Sequence, residues 1–347
     1  MGKEHYTKKG YNNSMQKRVF VYDPTQKDSQ SRVRGIGRYL QVLKETLPDA
    51  LFSTDLMNAS LYDVLINPFF NIINSPLIKK RAAPVQIAVI HDLIPLKYPD
   101  HFPLGARGKL NVFLNKRSLN IYDTFVTDSE ASKKDIMSIL NVSPEKIRVV
   151  YPALPQLFFE KTKNALPAFI TTERFCLYVG DATWNKNLVA LAQAILLADV
   201  RCVFAGNVFK NHGSLSNPWQ LELKKFLEIA KDDPHFIFPG FISDEELLAL
   251  YQNTICNVLL SRDEGFGYSF FEAATQGAPS VLSDIPVFRE TAKDAAVFTN
   301  FSDSETIADA ITSLKNEKLR AKIVRKAKEE VKKVSPEVFR ESLSSLF

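Results

Sequence analysis

Two glutamates, Glu264 and Glu272, stand eight positions apart in the stretch EGFGYSFFE. The stretch follows an apolar run ending near Leu260 and leads through AATQGA into PSVLS at 279–283. Gly265 and Gly267 let a backbone turn tightly and come close to a ligand, and a helix is expected to begin at Tyr268 or Ser269. The unpaired N–H groups of a helix start favour an anion, a phosphate or diphosphate being the natural one. Glu272, about one turn into that helix, is placed to accept hydrogen bonds from hydroxyls beside the anion, as a ribose would offer. Glu264, before the loop, can accept them from a sugar on the distal phosphate. Ribose, diphosphate and sugar in that order describe a nucleotide sugar. Two glutamates at such a spacing are more often a loop charge and a solvated helix face. Here the glycine placement and the strand-like runs on both sides favour the cradle.

Such a site needs a sheet edge to carry it. Short β-branched and aromatic runs alternate with longer amphipathic ones, the pattern of βα units on a mostly parallel sheet. In the first half the expected strands are 18–22, 63–67, 85–90, 124–127 and 147–150, with helices near 33–47, 105–121 and 129–140, the last opened by Ser129 as N-cap. In the second half the strands are FCLYVG (175–180), RCVFAG (201–206), HFIFPG (235–240), ICNVLL (255–260) and PSVLS. The first three end in glycine, at the carboxyl edge where open α/β sheets bind ligands. The expected fold is therefore α/β with two Rossmann-like domains, over 18–160 and 173–330. A polar N-terminal extension covers 1–17, and a linker at 161–172 lies within a proline-punctuated stretch, 151–172. The tail from 305 reads as two or three helices, with 331–347 expected as a terminal helix crossing back to the first domain.

A chain of 347 residues with 45% hydrophobic side chains is long enough for two such domains. No apolar run approaches the about 20 residues of a membrane-spanning helix, and MGKEHYTKKGYNNSMQK lacks the apolar core of a signal peptide. A cytoplasmic location is the expectation. Cys176, Cys202 and Cys256 are far apart and sit in strand-like runs, so reduced core thiols are expected in place of a disulfide framework or zinc site. Residues 1–170 carry 24 Lys and Arg against 15 Asp and Glu, and the remainder 20 against 24. The front half is the basic half, which suits an anionic partner or a simply solvated basic face.

Residues 258–300, VLLSRDEGFGYSFFEAATQGAPSVLSDIPVFRETAKDAAVFTN, resemble the donor-binding signature of the family 4 retaining glycosyltransferases of bacterial polysaccharide and O-antigen assembly. The resemblance extends upstream through PGFISDEELLALY, YVGDATWNKNLVAL, SEASKKDIMSILNVSPEKIRVVYP, HDLIPLKYP and RGIGRYL, which is nearly the whole chain beyond residue 17. It implies the GT-B fold, two Rossmann-like domains facing each other across a cleft. It also implies that Glu264 contacts the transferred sugar, that Glu272 holds the ribose, and that the backbone from Gly265 through Phe266, Gly267 and Tyr268 lines sugar and diphosphate. Lys186, in WNKN, matches the lysine that neutralises the diphosphate. Gly35, in RGIGRY, matches a glycine-rich loop approaching the diphosphate from across the cleft, though a G-x-G alone also opens many helices. His91, in HDL, matches a histidine that contacts the donor sugar; on its own it reads as a satisfied histidine at a strand end, with Asp92 structural beside it. The family commonly has an arginine where Asp181 stands here. The missing positive charge is expected from Arg262 or from the other domain.

The resemblance further implies same-face substitution, with the leaving phosphate taking the acceptor's proton and electrostatic stabilisation in place of a covalent intermediate. No D-x-D triplet occurs in the sequence, and neither a metal nor another cofactor is expected. The WNKN loop resembles those of mannosyl-, related hexosyl- and deoxyhexosyltransferases, which makes GDP-mannose the expected donor. The expected acceptor is a glycan or a lipid-pyrophosphate-linked one, with Lys79-Lys80-Arg81 and Lys116-Arg117 suiting peripheral contact with the inner membrane face and no nucleic acid partner. Two rivals remain. One is a degenerate sugar-nucleotide-binding protein without activity, supported by Asp181. The other is a Rossmann-type oxidoreductase, opposed by the missing third glycine of its G-x-G-x-x-G fingerprint.

Overall fold

In the computed structural model, residues 17–26, 35–160, 163–171 and 174–347 are described. The expected N-terminal extension, apart from residue 17, and part of the glycine-rich loop and linker lie outside them. Two six-stranded parallel sheets form. The first contains β1 (Val19–Tyr22), β2 (Leu51–Ser53), β3 (Val64–Asn67), β4 (Val85–Val89), β5 (Thr124–Thr127) and β6 (Ile147–Val149), in the order β2-β1-β3-β4-β5-β6. The second contains β7 (Phe175–Val179), β8 (Arg201–Ala205), β9 (Phe236–Gly240), β10 (Asn257–Leu259), β11 (Ser280–Ser283) and β12 (Val297–Thr299), in the order β12-β11-β10-β7-β8-β9.

Helices cover both faces. In the first half they are α1 (Gly35–Thr46), α2 (Ile94–Lys97), α3 (Gly105–Ser118) and α4 (Glu130–Leu140). In the second they are α5 (Leu188–Ala198), α6 (Leu221–Ala230), α7 (Asp244–Asn253), α8 (Tyr268–Thr275), α9 (Pro286–Thr291), α10 (Ser304–Ser313), α11 (Glu317–Glu330) and α12 (Pro336–Ser344). Parallel sheets clothed this way read as near-continuous apolar runs, and β3 (VLIN) and β10 (NVL) are buried throughout. Alternate residues still face opposite ways. Phe20 joins one core with Leu65 and Phe125, while Val19 and Val21 join another with Tyr39 and Ile66.

Every expected strand forms, and β2 and β12 are additional. Both are three-residue edge strands with partly exposed side chains, too short for their sequences to mark them. Ser129 caps α4 by accepting from the Ser132 amide. The three cysteines are buried, with the sulfurs of Cys176 and Cys256 3.6 Å apart. From the tail, Phe339 and Leu343 of α12 bury against the first sheet, the Phe339 ring standing edge-on to Tyr39.

In the second sheet the strand order reverses between β7 and β10. The loops leaving their carboxyl ends carry Asp181–Lys186 and Ser261–Gly267, so the candidate donor residues converge where a doubly wound sheet opens a crevice.

Candidate functional site

The loop after β10 and the 3-10 turn Trp184–Lys186 after β7 bring two of the expected residues into direct contact. Lys186 Nζ lies 2.8 Å from both carboxylate oxygens of Glu264, and the Ser261 hydroxyl donates to Glu264 at 2.8 Å. Burial works against the lysine's charge, but Glu264 and then Asp181 outweigh it, and its pKa is raised. Lys186 is therefore a fixed cation at neutral pH.

Gly267 precedes α8 with φ +94°, and a Cβ there would come 2.6 Å from the Phe288 ring. Only glycine fits that turn. Among the described residues no side chain caps the first turn of α8; Phe270 N donates to the Gly267 carbonyl at 3.1 Å, and the Tyr268 and Ser269 amides stay open to an anion. Glu272, 5% exposed, accepts from the Tyr251 hydroxyl at 2.8 Å. Burial raises its pKa in spite of Arg38, whose Nε is 4.0 Å away.

The expectations for the remaining residues need adjustment. Gly265 also packs against the other domain: a Cβ there would meet the His91 carbonyl oxygen at 2.8 Å, and its own carbonyl accepts from Ser129 Oγ at 2.8 Å. It is glycine because the two domains touch at that point. The Phe266 side chain is core, stacked on Phe271, leaving only its backbone to face a ligand. Arg262 is not a free cation. Its guanidinium donates to the Trp184 carbonyl, lies 3.5 Å from Glu222 and sits over the Trp184 ring. Asp181 binds Thr183 Oγ1 at 3.0 Å and thereby shapes its own loop. Gly35 is exposed at the start of α1, and among the described residues an added Cβ would meet nothing within 4 Å.

The other domain supplies Arg38, which the motifs did not single out, beside His91, which they did. Arg38 of α1 crosses to Asp244 at 2.5 Å as well as to Glu272, and these carboxylates outweigh its burial and raise its pKa. The residue lies inside the quoted RGIGRYL, but only the fold shows that it reaches the second domain. His91 places Nδ1 2.7 Å from Asp128 Oδ2 and Nε2 3.0 Å from the Pro68 carbonyl. Both partners offer acceptor oxygens, which favours the protonated ring: burial opposes the charge, Asp128 overrides it, and the pKa rises. Asp92 caps the Ile94 amide at 3.0 Å. Crowding by protein atoms, then the Glu264 carboxylate, pushes its own carboxyl up to about 6.

Among the described residues, the buried Tyr39 Oη, Asp128 Oδ1 and Tyr268 Oη have no hydrogen-bond partner. Asp128, Tyr39, Glu272 and Arg38 all act electrostatically on the Tyr268 hydroxyl, so these groups are neighbours. Unpaired polar atoms at one spot are costly unless something else completes them. The site thus combines an open helix start, a lysine, an arginine, two carboxylates and unfilled hydroxyls, which can hold a diphosphate with polyhydroxylated groups on either side.

The profile of the family described as glycosyl transferases group 1 matches residues 160–330, which contain β7–β12 and the Lys186, Glu264 and Glu272 site. The likeness to that family is carried by the second half of the chain. It is 28% identical over 239 residues to the O-antigen chain mannosyltransferase RfbU of Salmonella typhimurium, covering 66% of this chain and 60% of that protein. It is 31% identical over 180 residues to the GDP-mannose:cellobiosyl-diphosphopolyprenol alpha-mannosyltransferase of Xanthomonas oryzae, covering 50% and 44%. The chain thus spans less than two thirds of either relative. Among solved structures it is similar to HepE of Anabaena in complex with UDP-glucose, with a TM-score of 0.68 at 14% identity over 95% of this chain and 99% of that one. That likeness establishes the two-domain GT-B fold.

Proposed function

We propose that the protein is a metal-independent, retaining hexosyltransferase that moves a mannosyl group from GDP-mannose to a glycan or lipid-pyrophosphate-linked acceptor of surface polysaccharide synthesis. The observation that carries the reading is the Lys186–Glu264 pair beside the uncapped start of α8, with Glu272 one turn on. The names of the two mannosyltransferase relatives support the sugar. Peripheral contact with the cytoplasmic membrane face belongs to the same reading. No helix among the described residues is long and apolar enough to cross a membrane.

In this reading the amides of α8 and Lys186 bind the diphosphate, Glu272 takes the ribose hydroxyls and Glu264 those of the sugar. Arg38, supplied by the first domain, provides the charge that Asp181 does not. The bond from the anomeric carbon to the diphosphate oxygen breaks as the acceptor oxygen bonds the same face, and the acceptor's proton passes to the departing diphosphate. Positive charge on Lys186 and Arg38 stabilises that leaving group without a covalent intermediate. His91, fixed by Asp128 and Pro68, contributes charge and position on the sugar side.

The test is transfer and donor hydrolysis with a panel of nucleotide sugars, with and without EDTA. GDP-mannose is expected to be the preferred donor and EDTA to leave the rate unchanged. Turnover of none of them would leave a binding protein, and restoration by Mg²⁺ after EDTA would overturn metal independence. Glu272→Ala is expected to weaken GDP affinity, while Glu264→Ala mainly lowers kcat. Equal effects of the two on GDP affinity would refute that division.

A further inference from the structure

Helix α3 is built inside out. Its sequence, GARGKLNVFLNKRS, turns Asn111, Asn115 and Ser118 inward, where Asn111 Nδ2 donates to the Ile73 carbonyl at 3.0 Å and Asn115 Nδ2 to those of Ile72 and Asn74. It turns Leu110, Phe113 and Leu114 outward, at 56%, 51% and 38% exposure. These three lie at i, i+3 and i+4, so they form one apolar stripe. Helices of a soluble domain place such a stripe toward the core.

The charges around the stripe are of one sign. Arg107, Lys109, Lys116 and Arg117 are exposed, and no Asp or Glu occurs between positions 101 and 122. Lys109 and Lys116 flank the stripe on one side and Arg107 on the other, while the Arg117 guanidinium lies over the Phe113 ring, 4.2 Å from its centre. An apolar stripe bordered by cations complements an interface where acyl chains lie beneath anionic headgroups.

We infer that α3 seats the protein on an anionic phospholipid surface, with Leu110, Phe113 and Leu114 entering the headgroup boundary and the surrounding Lys and Arg pairing with lipid phosphates. The placement gives this contact a purpose that rests on the proposed lipid-linked acceptor. Residues 98–103, immediately before α3, form part of the rim between the domains: the His101 ring stacks on Trp184 at 3.8 Å, and Pro103 accepts from the Trp219 indole at 3.2 Å. A bilayer against α3 therefore lies beside the entrance to the donor site.

The test is flotation of the full chain with vesicles of phosphatidylcholine alone or mixed with phosphatidylglycerol. The protein is expected to float with the anionic vesicles only, and less so as salt rises. The double variant Leu110→Ser/Phe113→Ser is expected to lower partitioning about tenfold, and Arg107→Glu/Lys109→Glu to abolish the preference for the anionic lipid. Both variants should keep the melting temperature and the shift that GDP gives it. No preference for anionic vesicles, or unchanged partitioning in both variants, would overturn the inference. So would a wild-type dimer that becomes monomeric in Leu110→Ser/Phe113→Ser, since a second copy would then cover the stripe. Failure of the GDP shift with flotation intact would sink the proposed donor site and leave this surface standing.

Discussion

Two helices begin at the meeting of the domains, each following an interior strand of its own sheet, and they are treated oppositely. α4 follows β5 and is closed: Ser129 caps it, and Glu290 of the second domain accepts from the amides of Glu130 at 2.8 Å and Ala131 at 3.2 Å. The same carboxylate accepts from the Tyr151 hydroxyl at 2.9 Å. α8 follows β10 and is left open, with Gly267 at its N-cap, Lys186 and Arg38 nearby and the Tyr268 hydroxyl unpaired. The dipole and free amides are the same physics in both places. Where the protein supplies the anion, the result is a domain contact. Where it supplies everything except the anion, the result is a site for one.

The sharpest way to break this contrast is to remove the cation on the open side. Lys186→Ala is expected to lower kcat for transfer by about 10²–10³-fold, the loss typical of one group that stabilises developing charge. Steady-state kinetics with GDP-mannose checks it, and a change below tenfold would show that the open helix start is not where the leaving group sits.

Arg38→Ala comes next. It leaves buried Glu272 without its cation, and equilibrium unfolding is expected to show a loss of about 2 kcal/mol, below the cost of breaking a tighter buried pair because Tyr251 still donates. Adding Glu272→Gln should recover most of that loss. If the double variant is no more stable than the single one, Arg38 acts through Asp244 alone.

On the closed side, Glu290→Ala removes the anion that the protein itself provides. About 1 kcal/mol of stability should go, measured by denaturant unfolding, with GDP affinity unchanged. A fall in GDP affinity matching that of Lys186→Ala would erase the distinction between the two helix starts.

How much of this was legible before the fold is known follows the same divide. The second domain's contribution lies in one contiguous stretch, since a strand, a glycine turn and a helix start place Glu264, Gly267 and Glu272 within nine residues, and Lys186 follows the neighbouring strand. Local chemistry suffices to read it. The first domain's contribution is dispersed. Arg38 and Tyr39, His91, and Asp128 come from three different βα units, and their joint role is visible only when the two carboxyl edges face each other. The same cause explains the adjustments. Gly265 and Arg262 look like ligand groups in the sequence, yet one also packs against the other domain's backbone and the other is held by Glu222 and Trp184.

The smallest effect is a pH dependence. Asp92, with its carboxyl at about 6 in the fold against an ordinary 3.8, is better neutral in the folded state, so its ionisation costs stability as pH rises from about 4 through 6 and the cost persists above. Asp92→Asn keeps the Ile94 cap and removes that cost. The melting temperature at pH 7 should rise by about 2 °C, allowing for screening where the carboxyl meets solvent, and the gain should vanish below pH 4. A gain that persists at low pH would point to packing in place of charge.

The most direct measurement is a crystal structure of the protein with GDP-mannose. The account predicts the diphosphate against the first turn of α8 and Lys186, the ribose on Glu272 and the sugar facing Glu264 and His91. Density for the nucleotide sugar away from the domain cleft, or a bound molecule that leaves the Lys186–Glu264 pair and the α8 amides untouched, would contradict it.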